Sequence, residues 1–140
     1  MNIVISNLAG VPIYEQIREQ IKNAIFSGEL TEGALLPSIR QLAKDLRISV
    51  ITTMRAYNDL EQEGFVVNVQ GKGCYVRPQN PELLREGKLR EIEAGLSAAI
   101  AAARLIKLSK KELTDIWTLL LEDIPEDGGP EVSKEESKNE

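Results

Sequence analysis

The chain has 140 residues, a net charge of −5, one cysteine and no histidine, and 42% of its residues are hydrophobic. This length suits one compact domain with a smaller appendage, and no segment approaches the roughly 20 apolar residues of a membrane span. A lone cysteine excludes an internal disulfide, and without histidine the commonest metal ligand and general base are missing. We therefore expect no metal, no cofactor and no catalytic site. The absence of a signal-peptide pattern predicts a cytoplasmic location.

The acidic residues are concentrated at the C-terminus. Residues 122–140 carry eight acidic and two basic side chains, a net charge of −6 that leaves +1 for the other residues. Their glycine, proline, serine and charged residues predict a disordered acidic tail. The modest basic excess between Ala34 and Arg77 permits a basic surface without proving one.

The first predicted helix follows a short N-terminal arm, residues 1–11. It begins at Pro12, which suits the first turn of a helix, and Gly28 ends it. Isoleucines recur at every fourth position, the spacing of one apolar helix face. They are Ile13, Ile17, Ile21 and Ile25.

Two short helices separated by a turn come next. Ser38 is placed to cap the first, with Gln41 at the reciprocal position of a capping box. Ser49 is placed to cap the second, Val50–Glu63, and Gly64 stands where a C-capping glycine belongs. Two helices joined by so short a turn predict a helix-turn-helix.

A β-hairpin is predicted directly after these helices. The runs Phe65–Val69 and Cys74–Arg77 are rich in β-branched and aromatic residues, and the turn Gln70–Gly73 between them contains glycine. The predicted fold is therefore mainly α with a small β-hairpin wing, a winged helix-turn-helix over residues 12–78. The proline-containing segment that follows predicts a linker at 79–81.

A two-helix arm is predicted over residues 82–121. A long helix runs from Glu82 to about Ile106, and a shorter one, capped by Ser109, reaches Leu121. Two such helices enclose too little interior to be stable alone, so we expect their apolar faces to form a homodimer interface. Packing against the winged helix of the same chain is the alternative. The predicted interface residues are Leu89, Ile92, Leu96, Ile100, Leu113, Ile116, Trp117, Leu120 and Leu121.

Four motifs occur within residues 12–76. They are Pro12-Ile13-Tyr14-x-Gln16-Ile17, Leu36-Pro37-Ser38-x-Arg40-x-Leu42-Ala43, Ser49-x-x-Thr52-x-x-Arg55-Ala56-Tyr57-x-x-Leu60-Glu61-x-Glu63-Gly64, and Gly71-Lys72-Gly73-x-Tyr75-Val76. Together they resemble the GntR family of bacterial transcription regulators. The short C-terminal part is similar to the YtrA-like branch, in which two helices serve dimerisation and there is no separate ligand-binding domain.

The expected DNA contacts lie at two helix N-termini and at the hairpin tip. A helix entering the major groove presents polar side chains and cations near its N-terminus, and helix N-termini also bind phosphates. The candidates are Ser38, Arg40, Ser49, Thr52, Thr53, Arg55, Gly71, Lys72 and Gly73, of which the resemblance emphasises Arg40, Thr52, Arg55, Gly71 and Lys72. The alternatives are that the serines are only helix caps, that Arg55 is a solvated or salt-bridged helix residue, and that Arg40 and Lys72 are ordinary surface cations. For Cys74, packing is the favoured interpretation and a redox switch the alternative.

The second helix of the helix-turn-helix departs from the family pattern at three positions, which are apolar. Val50, Ile51 and Met54 stand where many relatives carry polar or basic residues. Either these side chains contact thymine methyl groups, which predicts an A·T-leaning operator, or some of them face the core.

The sequence thus predicts a transcription regulator that is not an enzyme. The resemblance implies a homodimeric repressor of a palindromic operator in double-stranded DNA, with its own operon and transporter genes as targets. No membrane partner is expected, and an unidentified small-molecule effector stays open. The alternative function is a winged helix that binds another protein without specific DNA binding.

Overall fold

The computed structural model describes residues 1–7 and 10–128. Within these ranges the chain forms five helices and one two-stranded sheet, which confirms the predicted mainly helical fold with a small hairpin. Backbone contacts divide the chain into two units, Met1–Glu86 and Gly87–Glu140. Most of the predicted acidic tail, from residue 129 onward, lies outside the described residues.

Helix α1 (Ile13–Ser27) has Pro12 at its N-cap position and ends at Gly28, whose φ is 86°. Glycine adopts this left-handed conformation without the strain that a side chain would bring. The predicted isoleucine face is confirmed by its burial. The buried residues of the helix are Ile17, Ile21, Ala24 and Ile25.

The N-terminal arm is held along α1 by two glutamine side chains. Gln20 Oε1 accepts from the Val4 N–H at 3.0 Å, while its Nε2 donates to the Val4 carbonyl at 2.8 Å. Gln16 bonds the N–H and carbonyl of Ser6 in the same way, both at 2.8 Å. These side-chain amides form hydrogen bonds with the backbone N–H and carbonyl groups of the arm, as a neighbouring strand would. The arm also places Ile3 in the hydrophobic core.

Helices α2 (Ile39–Leu46) and α3 (Val50–Gln62) form the predicted helix-turn-helix. Ser38 Oγ accepts from the backbone N–H of Gln41 at 3.1 Å, so the predicted cap is confirmed. The predicted reciprocal bond, from the Ser38 N–H to the Gln41 side chain, is wrong, because that side chain instead donates to Asp45 Oδ1 at 2.7 Å. A hydrogen bond to a charged carboxylate is stronger than one between neutral groups, so the side chain extends toward Asp45 rather than back to the Ser38 N–H.

The turn between α2 and α3 depends on Arg47 and Ser49. Arg47 has a φ of 57°, a left-handed conformation that ends α2, and its N–H reaches the Lys44 carbonyl at 3.2 Å. Ser49 Oγ accepts from the Thr52 N–H at 3.1 Å and so caps α3. A sharp reversal followed at once by an N-cap keeps the two helices separate.

The core of the first unit is centred on α3, which packs against α1, α2 and the hairpin. Thr53, Ala56, Tyr57 and Leu60 are fully buried at spacings of three and four residues, which is one face of a helix. The Tyr57 hydroxyl donates to the Pro37 carbonyl at 2.7 Å, which ties α3 to the segment before α2. Burial raises the pKa of Tyr57 well above its usual range, so it stays a neutral donor.

Strands β1 (Val66–Val69) and β2 (Gly73–Val76) form the predicted antiparallel hairpin. Val66 and Cys74 face the core. The Leu36 N–H donates to the Cys74 carbonyl at 2.8 Å, so the segment before α2 pairs with β2. This pairing holds the hairpin beside the start of α2.

Helix α4 (Pro81–Leu105) spans the boundary between the units, and α5 (Lys110–Leu121) lies in the second. Ser109 Oγ accepts from the Glu112 N–H at 3.1 Å and caps α5 as predicted. In these two fully described helices, Ala103 is the only buried residue. No helix within the described ranges is both long and apolar enough to cross a membrane.

Candidate nucleic-acid interface

An open cleft of about 390 Å³ lies between the start of α2 and the tip of the hairpin. Predicted contact residues from two separate parts of the sequence line it. Ser38 and Arg40 come from the start of α2, and Gly71, Lys72 and Gly73 come from the hairpin. All of them are exposed. The fold therefore brings a helix N-terminus and two cations to one surface, an arrangement suited to a polyanion.

The hairpin tip requires both of its glycines. Gly71 has a φ of 78° and Gly73 a φ of 121°, backbone conformations that residues with side chains rarely adopt, and a Cβ on Gly73 would also displace the exposed Leu35 side chain, whose Cδ1 would lie 2.9 Å away. The Tyr75 hydroxyl donates to the Lys72 carbonyl at 3.2 Å. The backbone of Lys72 is thus fixed between two glycines while its side chain is exposed.

The start of α3 divides the predicted contacts into exposed and buried residues. Ser49 is exposed and Thr52 is half-buried, and their hydroxyl oxygens lie 2.7 Å apart. The prediction that Thr53 contacts DNA is wrong, because its side chain is fully buried and its hydroxyl donates to the Ser49 carbonyl at 3.2 Å. Thr53 belongs to the core face of α3, so it stabilises the helix rather than any complex.

The exposed surface of α3 near its start includes three apolar side chains. Val50 is 43% exposed, Ile51 78% and Met54 42%, so the interpretation that these side chains face the core is wrong. Asn58, also exposed, lies one turn beyond Met54. Sequence reasoning missed Asn58, although its spacing of four residues from Met54 is the signal that places both on one helix face.

Arg55 is held by an aromatic ring. Its guanidinium carbon lies 3.7 Å from the centroid of the Tyr14 ring, a cation–π contact between α3 and α1. Arg55 is exposed and Tyr14 is half-buried against the core. The alternative of a salt-bridged Arg55 finds no support within 1–7 and 10–128, where no carboxylate lies within 4.0 Å of it.

Ion pairing separates the cations of the first unit into two groups. On α1, Arg18 lies 3.4 Å from an Asp59 carboxylate oxygen, and Lys22 lies 3.6 Å from one of Glu63. Elsewhere in this unit, cations have no carboxylate within 4.0 Å among the residues that the structure describes. They are Arg40, Lys44, Arg47, Arg55, Lys72, Arg77 and Arg85. The ion-paired Arg and Lys side chains of this unit are on α1, whereas those of α2, the turn, α3 and the hairpin have no carboxylate partner in the described ranges and are available to an anionic molecule.

Cys74 faces the core from β2 and is 6% exposed. Burial raises the pKa of its thiol to about 11, and the negative charge of Glu61 adds to this effect. A redox-active cysteine needs an accessible thiol with a lowered pKa. The packing interpretation is therefore favoured over a redox switch.

The second unit exposes an apolar surface on its two helices. Helix α5 buries none of its residues, and Trp117 is 46% exposed. A recess of about 360 Å³ is lined by Leu96, Ala99, Ile100, Leu113, Thr114 and Trp117. Leu113 is half-buried, and the other predicted interface residues are all exposed. They are Leu89, Ile92, Leu96, Ile100, Ile116, Trp117, Leu120 and Leu121.

A helix-turn-helix with an adjoining β-hairpin defines the winged-helix class of DNA-binding proteins. A family model described as bacterial regulatory proteins of the gntR family matches residues 13–76. The chain is also 33% identical over 111 residues to the HTH-type transcriptional repressor YtrA of Bacillus subtilis (strain 168), an alignment covering 79% of this chain and 85% of that protein. The chain belongs to the GntR family of transcription regulators.

Solved structures support the same assignment. A transcriptional antiterminator from Listeria monocytogenes EGD-e has a TM-score of 0.68 and 27% identity, with 96% of this chain and 98% of that one covered. YtrA from Sulfolobus acidocaldarius, a GntR-family transcription factor, has a TM-score of 0.53 and 40% identity, with 65% and 97% covered. These likenesses confirm the predicted YtrA-like regulator, a class of protein that is not enzymatic.

Proposed function

We propose that the chain is a homodimeric repressor that binds a palindromic operator in double-stranded DNA through the winged helix-turn-helix of residues 12–78. The observation that carries this proposal is the cleft where Arg40 and Lys72 are exposed without a carboxylate partner in the described residues. Such cations displace counterions from phosphates, which supplies much of the free energy of DNA binding.

In this proposal α3 enters the major groove with its N-terminal half. Arg40, at the start of α2, and Lys72, at the hairpin tip, contact the sugar-phosphate backbone, and Arg55 contacts a base edge or a phosphate. The glycines beside Lys72 let the hairpin backbone approach DNA closely. The residues that we propose as contacts are Ser38, Arg40, Ser49, Thr52, Arg55, Gly71, Lys72 and Gly73.

The arm of residues 82–121 is proposed to form the dimer interface. A helix as short as α5 is marginal in water without tertiary contacts, yet none of its residues is buried in the single chain. The same arm of a second copy supplies the missing contacts, with Trp117 and the recess beside it at the centre. A two-fold dimer presents two α3 helices, which accounts for a palindromic site.

Repression is proposed from the similarity to the Bacillus subtilis protein, which is itself described as a repressor. A dimer bound over a promoter blocks RNA polymerase by occupying its site. Transcription in vitro from the DNA upstream of the chain's own gene tests this directly. We expect fewer transcripts as the protein is added, and an increase would contradict repression.

Fluorescence anisotropy with a labelled duplex of the same upstream DNA tests specific binding. We expect a dissociation constant of roughly 10⁻⁸ M or below, rising steeply with salt, and much weaker binding to a scrambled duplex. Equal affinity for both duplexes would contradict the proposal. It would favour the alternative that the winged helix binds another protein.

A further inference from the structure

Three apolar side chains form a continuous exposed surface on the first turns of α3. We call Val50, Ile51 and Met54 the apolar ridge. Met54 lies four residues after Val50 and three after Ile51, so it neighbours both on the helix surface, and all three lie outside the buried face that contains Tyr57 and Leu60. None of the three belongs to the buried core, and exposed apolar side chains grouped in this way mark interaction sites.

The surroundings of the ridge favour DNA as this partner. Arg55 lies on the next turn of the same exposed face, and the turn before α3 carries the exposed Arg47. Neither has a carboxylate within 4.0 Å in the described part of the chain. An apolar surface bordered by unneutralised cations matches a partner that is strongly anionic and has small apolar groups between its charges.

The major groove of DNA has this chemistry. Phosphates line its edges, and the 5-methyl group of thymine is the apolar group that a base pair presents within it. Asn58 lies on the same exposed face one turn further on, and a side-chain amide of this kind pairs with adenine through N6 and N7. The ridge thus suits thymine and Asn58 suits adenine, the two bases of A·T pairs.

We propose that the apolar ridge contacts the 5-methyl groups of thymines in each half-site and thereby sets the base preference of the operator. This inference rests on the proposed function, because it requires α3 to lie in the major groove. It adds that α3 reads part of its site through methyl contacts, with Ile51, the most exposed of the three, at the centre.

Replacing thymine by deoxyuracil tests the inference, since it removes the methyl group and leaves Watson–Crick pairing intact. A duplex is first selected from a randomised pool by the full-length protein. Its half-site thymines are then replaced one at a time, and each dissociation constant is measured by fluorescence anisotropy. We expect the loss of each contacted methyl to weaken binding about fourfold.

An Ile51→Ala variant separates methyl contact from any effect of uracil on DNA shape. We expect this variant to bind the thymine duplex more weakly and to lose the penalty for uracil at the positions that Ile51 contacts, as a coupled pair requires. Val4→Ala, a truncation of an exposed apolar residue on the N-terminal arm, is the matched control and keeps the full penalty. Thermal unfolding of both variants checks that they remain folded.

The remaining outcomes distinguish this inference from the proposed function. Specific binding that is insensitive to uracil at every half-site position would overturn the methyl contacts and leave the repressor proposal standing. A uracil penalty that persists unchanged in Ile51→Ala, Val50→Ala and Met54→Ala would overturn the role of the ridge. If no duplex is enriched by selection, both proposals are wrong.

Discussion

The two units of the chain differ in how much of their apolar surface is buried within the single chain. The first unit encloses a core in which Ile17, Ile21, Tyr57 and Leu60 are fully buried. In the second, α5 buries nothing and Trp117 is about half exposed, although the apolar content of α5 is high. The first unit therefore has a core of its own, whereas the exposed apolar surface of the second would be covered only in the proposed dimer.

In the proposed dimer, this difference separates DNA binding by the first unit from assembly by the second. A DNA-binding unit with its own core is expected to keep its contact residues in place whether or not the arm is paired. The arm can then control how many such units act together without altering any one of them. We therefore expect substitutions in the first unit to change the free energy of unfolding and substitutions in the second to change the dissociation constant of the dimer.

The largest expected effect is the loss of core packing in Leu60→Ala. Leu60 is fully buried, so truncation leaves a cavity and lowers the free energy of unfolding by about 2–5 kcal/mol, measured by urea denaturation. The matched control is Leu119→Ala on α5, where the side chain is 65% exposed and the expected change is within about 0.5 kcal/mol. Equal losses in both variants would contradict the contrast between the units.

Trp117→Ala is expected to weaken the dimer. Buried tryptophans at interface centres contribute about 2 kcal/mol or more, so the dissociation constant should rise by at least about thirtyfold in sedimentation equilibrium. Asp115→Ala, on the opposite face of α5, is the control and should leave the constant unchanged. A Trp117→Ala protein that dimerises like the wild type would move the interface elsewhere.

Because only some cations of the first unit are paired with carboxylates, we expect their substitutions to change the salt dependence of DNA binding to different extents. Arg40→Ala and Lys72→Ala should each weaken binding to all sequences and reduce the slope of log K against log salt by about 1. Lys22→Ala is the control, because this lysine is already paired with Glu63 and lies on α1. A slope that changes as much in Lys22→Ala as in the other two would show that ion pairing does not distinguish these groups.

A smaller effect is expected from Tyr14, which positions Arg55 through its ring. Tyr14→Leu removes the cation–π contact, worth about 0.5–1 kcal/mol, and should weaken operator binding two- to fivefold. Tyr14→Phe keeps the ring and should bind as the wild type does. In an Arg55→Ala background, Tyr14→Leu should have no further effect on affinity, and an additive loss would show that the tyrosine acts independently.

The elements of the fold could be predicted well because their ends are marked by local chemistry. Ser38, Ser49 and Ser109 each accept the backbone N–H bond that their position in the sequence predicts. Glycines mark the end of α1 and the turn of the hairpin by their positive φ values. Such signals act over a few residues, so they can be interpreted without knowing the rest of the structure.

The predictions were wrong where a side chain has more than one possible hydrogen-bond partner or environment. The Gln41 amide prefers the Asp45 carboxylate to the backbone, and Thr53 lies on the core face although its polar type and place near the N-cap suggested a contact. The periodicity of Ala56, Tyr57 and Leu60 would have placed Thr53 correctly. The contact between Tyr14 and Arg55 could not be predicted, because it depends on how α1 packs against α3.

Specific binding by a dimer is tested most directly by comparing one duplex that has two half-sites with one that has a single half-site. Wild-type protein should prefer the two-half-site duplex by about a hundredfold or more in anisotropy titrations, since the arm converts the second contact into an intramolecular one. Trp117→Ala should lose this preference and keep its affinity for the single half-site. Equal affinity of the wild-type protein for both duplexes would contradict the claim that a dimer binds DNA through two winged helices.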